Sequence, residues 1–373
     1  MSMVVDEHRQ YLSDAPRLAA FREAIGSVVK PGDVVVDLGA GTGILGLLAC
    51  RAGAARVYAI DDGAMIQLAR EICRANGFAD RVVFVRGFSE RVTLPERADV
   101  VVADQIGRFG FEAGVIEYFA DARERFLKPG GRTIPGRITL EVAPVEHALL
   151  AGQVEFWSGR PEDFDVGPAR AIAANTGYPA RFSAEHLLSA PAELAVLDLA
   201  TATVEPFQGE VDVAITRPAL LHGVGGWFTA EMAPGITMSN GPLAPAPINR
   251  HNVFFPVDGA VAVKPGDRVR IRMRVIPTES MVAWTVEVND RRFTHSTFKG
   301  MLLAPEDIAR TQPDSRPALT PRGVARRTVL ELCDGRRPLA EIEREVRARH
   351  GELFRSAREA ATFVAEVVTR YAQ

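Results

Sequence analysis

The chain has 373 residues and a mass of 40.5 kDa, with 47% hydrophobic and 24% charged residues, which excludes global disorder and leaves room for two or three domains. A formal net charge of −3 and a pI near 6.2 provide no whole-chain basic field, so nucleic acid is not an expected partner, and no apolar run reaches the roughly 18 residues of a membrane helix. Three scattered cysteines (Cys50, Cys73, Cys333) suit a reducing cytoplasm and neither a disulfide framework nor a metal site, and the N-terminal stretch lacks the basic-then-apolar order of a secretory signal.

Residues 15–138 alternate helix and strand. An amphipathic stretch from Pro16 to Val29 leads through the turn Lys30-Pro31-Gly32-Asp33 to a β-branched run, Val34-Val35-Val36-Asp37, short enough for a buried parallel strand. A helix over Ile44–Ala52 stops at Gly53. Strands over Val57–Ile60, Val82–Val85 and Val100–Ala103 and helices over Ala64–Ala75 and Val115–Leu127 continue the alternation. Repeated βα units with short links imply an α/β fold, a Rossmann-like doubly wound parallel sheet.

After Pro135 the period changes to two. Ile138–Val142, Val211–Thr216, Gly225–Met232, Val269–Val275 and Met281–Val288 alternate and are split by Pro- and Gly-rich turns, which predicts an antiparallel β domain, a barrel or sandwich. Gly159–Leu188 is polar and turn-rich, an excursion from it. From Pro321 the pattern is helical again, with helices over Val324–Cys333, Leu339–Arg349 and Ala357–Tyr371. The expected division is 1–138, 139–302 and 318–373.

The chemistry-bearing segment is Val36-Asp37-Leu38-Gly39-Ala40-Gly41-Thr42-Gly43. Glycines at the end of a first strand let a ligand approach the backbone with no Cβ in the way. The loop reads G-x-G-x-G rather than the dinucleotide pattern G-x-G-x-x-G, and the acid before it, Asp37, suits the amino group of S-adenosyl-L-methionine better than a pyrophosphate. Asp61 ends the second strand, where a carboxylate can take two ribose hydroxyls, and Glu90 follows the third, within reach of an adenine edge beside Ser89. Any one of these acids could be a helix cap or a solvated surface group. The ordered set predicts an S-adenosylmethionine-dependent methyltransferase.

On these residues, and on His8-Arg9-Gln10-Tyr11-Leu12-Ser13-Asp14-Ala15-Pro16-Arg17, Phe126-Leu127-Lys128-Pro129-Gly130-Gly131, Gly226-Trp227-Phe228 and Val263-Lys264-Pro265-Gly266-Asp267, the chain resembles the protein arginine methyltransferase family from about His8 to Val288. The resemblance implies a β-barrel substrate domain and cofactor contacts from His8, Arg17, Asp37, Gly39, Gly41, Asp61, Ser89 and Glu90. Arg17 would meet the cofactor's carboxylate. It also implies a homodimer through a helical arm near residues 156–188. The family's catalytic hairpin carries two glutamates; the matching positions are Asp104 and Glu112, in a loop one residue short. The family's Thr-His-Trp loop is Ile248-Asn249-Arg250, so the histidine that would pair with Asp14 is missing, and His251 lies two residues on. Tyr11 stands where the family has a methionine.

These features imply a cytoplasmic N-methyltransferase acting on a guanidino or amino group of a peptide, amino acid or natural-product precursor, with Asp104 and Glu112 as catalytic carboxylates. An O- or C-methyltransferase with Asp104, His251 or Tyr11 in the reacting role, and a cofactor-binding scaffold without activity, are the alternatives. For Asp104 a helix cap, and for Glu112 a helix-dipole role, are the simpler readings. The tail around Ala325–Arg349 is similar to the helical half of PqqD-like peptide-recognition domains, which bind leader peptides by strand addition.

Overall fold

A computed structural model describes residues 4–372, which divide into two compact units at Met301/Leu302. In the first, helices α1 (Val4–Ser13) and α2 (Ala15–Val28) precede β1 (Val34–Leu38), α3 (Ile44–Ala52), β2 (Arg56–Asp61), α4 (Met65–Ala75), β3 (Val82–Arg86), β4 (Ala98–Ala103), α5 (Val115–Arg125) and β5 (Leu127–Ile134). The strands pair in parallel in the order β3-β2-β1-β4-β5. All five residues of β1 are buried, the signature of a strand covered on both faces. The order reverses between β1 and β4, so a crevice opens beyond their carboxyl ends. Asp14 caps α2, its side chain accepting from the Arg17 amide, and Pro16 fits the first turn.

The strand β5 replaces the end of the helix expected over Val115–Leu127. Its Lys128-Pro129-Gly130-Gly131 run weakens the strand signal, but β5 is the sheet edge, where a proline that cannot donate is tolerated.

The antiparallel part comprises β6 (Arg137–Val145), α6 (Ala148–Glu155), α7 (Arg170–Ala173), β7 (Tyr178–Ala180), β8 (Ala192–Asp198), β9 (Phe207–Ala214), β10 (Ala219–Ala233), β11 (Ile236–Ser239), β12 (Asn252–Val263), β13 (Arg268–Ile276), β14 (Met281–Val288) and β15 (Arg291–Ser296). The barrel anticipated from the sequence is, among the described residues, two sheets that no ladder closes. One runs β7-β12-β10-β6-β8 with β11 beside β10, the other β15-β14-β13-β9. The sheets approach without pairing where Leu194 of β8 meets Gly209 of β9, so closely that a Cβ on Gly209 would lie 2.0 Å from the Leu194 carbonyl oxygen. Phe255 packs on Trp284 with ring centroids 5.2 Å apart, and the Trp284 indole donates to the Pro256 carbonyl at 2.8 Å.

The loop after β4 joins the α/β and antiparallel parts. Phe109 and Phe111 are buried, Phe109 against Phe255 and Phe111 against Phe207, so residues 104–112 are pinned into the β core. The expected segments 1–138 and 139–302 therefore share one continuous core.

The second unit holds α8 (Pro305–Arg310), α9 (Pro321–Leu332), α10 (Leu339–His350) and α11 (Ala357–Tyr371), the last three packed around Val329, Val346, Phe363 and Val364. Its described residues contain no strand. Among the described residues no helix is long and apolar enough to cross a membrane.

Candidate active site

Two adjoining cavities occupy the crevice beyond β1 and β4. The smaller, about 260 Å³, is lined by the glycine loop, Asp61 and the α1–α2 residues His8, Tyr11 and Arg17. The larger, about 430 Å³, is lined by Asp14, Glu112, Arg108, Asn249, Arg250 and His251, among others. Glu7, Tyr11, Asp104 and Gln105 line both and form the wall between them.

In the smaller cavity the backbone fixes the polar groups. Asp61, at the end of β2, accepts the Gly41 amide on Oδ2 at 2.8 Å and the Gly63 amide on Oδ1 at 2.7 Å. Each oxygen keeps acceptor capacity toward the cavity. Gly39 and Gly41 have φ of +68° and +54°, and an added Cβ would fall 2.2 Å from Gln105 Nε2 or 2.7 Å from His8 Cε1. The loop needs glycine for its conformation and for the approach of these side chains. Arg17, 6% exposed, packs beside the rings of Tyr11 and Phe21.

Asp37 lies beneath the loop, outside the cavity lining. It is fully buried, accepts the Gly46 amide at 2.8 Å, and its other oxygen has no protein partner. Burial, partly offset by that amide, pushes its carboxyl up to about 7. Ser89 and Glu90 also lie outside the lining, on the turn after β3. The Ser89 hydroxyl is buried without a partner and Glu90 is exposed.

The wall carries the charge. Asp104 Oδ2 accepts from Arg17 Nε at 2.6 Å and from Arg250 Nη2 at 2.9 Å, and Oδ1 accepts from the same Nη2 at 3.1 Å. Burial opposes ionisation here, but the adjacent Arg250 and Arg17 charges prevail and hold the Asp104 carboxyl below its ordinary value. The same attraction overcomes burial at Arg250 and raises its guanidinium. Glu112 is gripped by its own loop, accepting from the amides of Arg108, Phe109 (3.0 and 3.1 Å) and Phe111 (3.4 Å). Gly107, at φ +80°, makes room for it, since a Cβ there would sit 2.5 Å from the Glu112 carboxyl carbon.

Asp14 holds the loop from the antiparallel part, Oδ2 accepting the Asn249 amide at 2.8 Å. A main-chain amide thus binds the carboxylate that the family pattern would pair with a histidine, which this sequence lacks at the matching position. His251 lines the larger cavity, and burial, followed by the nearby Arg181 and Arg108 charges, lowers its pKa. Of the residues named from the sequence, His8, Arg17, Gly39, Gly41, Asp61 and Asp104 line the smaller cavity and Asp104 and Glu112 the larger. Arg250 and Gln105 were not singled out for the wall. The signal for Arg250 was its place in Ile248-Asn249-Arg250, where the sequence departs from the family pattern. Among the described residues no cluster of three His, Cys, Asp or Glu side chains could hold a metal ion.

Two family profiles match, ribosomal protein L11 methyltransferase over residues 21–147 and the arginine methyltransferase oligomerization subdomain over 137–285. A probable protein arginine N-methyltransferase 6 from Arabidopsis thaliana is 29% identical over 293 residues, 74% of this chain and 64% of its own length. The chain thus spans just under two thirds of that relative. Protein arginine N-methyltransferase 6 of Xenopus laevis is 30% identical over 64% of this chain and 74% of its own length. In fold, the chain is similar to the Trypanosoma brucei protein arginine methyltransferase 1 enzyme–prozyme heterotetrameric complex with AdoHcy. The TM-score is 0.73 at 20% identity, over 79% of this chain and 99% of that one.

Proposed function

The chain belongs to the protein arginine methyltransferase family, and on that premise we propose that it moves a methyl group from S-adenosyl-L-methionine to a nitrogen of a guanidino or amino group. The acceptor belongs to a protein, a peptide or a smaller precursor; the relatives are named for arginine in proteins. The observation that carries this reading is the pair of cavities meeting at Tyr11, Asp104 and Gln105. One chamber offers a glycine-lined cradle and an amide-anchored carboxylate, the other a set of acidic side chains, with one thin wall between them.

The cofactor, when bound, supplies an electrophilic methyl on a sulfonium. Asp61 suits its ribose hydroxyls, being fixed by two amides with acceptor capacity left over. Gly39 and Gly41 admit it close to the backbone, and His8 and Arg17 line the same chamber. Ser89, Glu90 and Asp37 act from outside the lining, the first two toward the adenine end and Asp37 from beneath the loop. Across the wall, Glu112 is the carboxylate that orients the acceptor nitrogen and stabilises positive charge on it. Its oxygens are held by backbone amides and need no reorganisation as charge develops. Asp104, in the wall, fixes one arginine on each side, Arg17 and Arg250.

A second reading, transfer to oxygen, rests on His251, whose lowered pKa and place in the larger cavity suit a general base. Incubation with methyl-labelled S-adenosylmethionine and peptides bearing a single arginine, lysine or serine separates the two. Nitrogen-linked label supports the main reading; label on serine alone supports the second. No label on any acceptor, with cofactor binding intact, leaves the scaffold alternative.

The arm near 156–188 we propose to be a dimer contact. It exposes Phe156 and Phe164, and lies inside the segment that matches the oligomerization subdomain. Light scattering should give a dimer that reverts to monomer when the arm is deleted; a monomeric wild type at micromolar concentration would refute it.

A further inference from the structure

The larger cavity already holds a guanidinium, the protein's own. Arg250 enters from the segment between β11 and β12, donates twice from Nη2 to Asp104, and donates from Nη1 to the Gly107 carbonyl at 3.3 Å. Its guanidinium carbon lies 5.8 Å from the centre of the Phe228 ring. The Arg250 side chain is 13% exposed and that of Asp104 10%. Arg17 binds Asp104 from the smaller cavity, so the Arg250 side chain is the cation on the acceptor side of this carboxylate.

A carboxylate has about four acceptor positions, and the two arginines use three here. An acceptor guanidinium seeking a bidentate grip on Asp104 would have to displace Arg250 or approach two buried positive charges. An amine is less affected. It is a compact group that needs single acceptors rather than a planar fork, and the one position of Asp104 that the two arginines leave open provides one.

We infer that Arg250 is a specificity-determining residue: it competes with an acceptor guanidinium for Asp104 and so biases the larger cavity toward amino over guanidino acceptors. The inference rests on reading the larger cavity as the acceptor site. It predicts which variant shifts the bias. Arg250→Ala vacates the position while leaving Asp104 paired with Arg17, so the wall keeps a compensated charge.

The test is calorimetric binding of N-acetylarginine methylamide and N-acetyllysine methylamide to the full chain saturated with S-adenosylhomocysteine. The proteins compared are wild type, Arg250→Ala, Arg250→Gln and Arg250→Lys. The two neutral variants should bind the arginine probe at least about tenfold more tightly than wild type, the factor associated with one hydrogen bond to a charged group. The lysine probe, a cation that needs no bidentate grip, should gain clearly less than the arginine probe, and Arg250→Lys should be intermediate. Unchanged cofactor-product affinity shows that each variant is folded. Equal changes for both probes, or weaker arginine binding in both neutral variants, would make Arg250 a structural strut and overturn the inference while leaving methyl transfer untouched. If neither probe binds any of the proteins, the larger cavity is not the acceptor site, and the inference falls with that reading.

Discussion

The two cavities hold carboxylates in opposite ways. In the smaller one Asp61 is anchored by main-chain amides, which orient it and leave acceptor capacity for a ligand. In the wall, Asp104 is engaged by two guanidiniums of the protein itself. Glu112 stands between these cases, held by amides but folded back onto its loop. A carboxylate's position past a strand end therefore says where it can act, and its partners say whether it is free to act.

The largest expected effect falls on the wall. Asp104→Ala leaves Arg17 and Arg250 buried without their counter-charge and should cost about 3–5 kcal/mol of stability in urea unfolding at neutral pH. Because its folded pKa lies below the ordinary 3.8, the Asp104 contribution is present above that value and disappears as pH falls through the lower folded value. A loss under about 1 kcal/mol, typical of an exposed pair, would erase the contrast drawn between the cavities.

Next comes Glu112→Gln, which keeps shape and removes charge. Turnover should fall on the order of 10²–10³ with little change in affinity for S-adenosylhomocysteine. Near-full turnover would move the chemistry to His251 or Tyr11. Asp61→Ala sharpens the other side of the comparison, and should weaken S-adenosylhomocysteine binding by roughly 1.5–3 kcal/mol with the fold intact, measured by calorimetry. The last test concerns Asp37, whose effect is spread over a range of pH. Its folded pKa is raised, so its contribution is fully present below 3.8 and is lost as pH rises to about 7. Between those values it should tilt stability downward by at most about 1.4 kcal/mol per pH unit. Asp37→Asn should remove that tilt in denaturation curves across the range; an identical slope would show Asp37 to be ionised in the fold throughout.

The pattern of legibility follows the same division. The β1 loop and Asp61 could be read because local backbone demands, glycine at positive φ and an acid at a strand end, leave a signature within a few residues. The strand β10 was read only as Gly225–Met232 although it runs from Ala219 to Ala233. Gly223, in the part that was missed, looks like a break in sequence, yet in the fold it sits beneath the ring of Phe254. The strand β12 was hidden by Pro256 and Gly259. Arg250 and Asp104 are 146 residues apart, and their pairing depends on the antiparallel part folding back over the β4 loop. No local pattern carries it.

The most direct measurement is a crystal structure of the full chain with S-adenosylhomocysteine. The account predicts the ribose hydroxyls on Asp61 and the sulfur at the wall formed by Tyr11, Asp104 and Gln105, facing the larger cavity. A cofactor product bound elsewhere, or in this cavity with its sulfur turned from that wall, would contradict it.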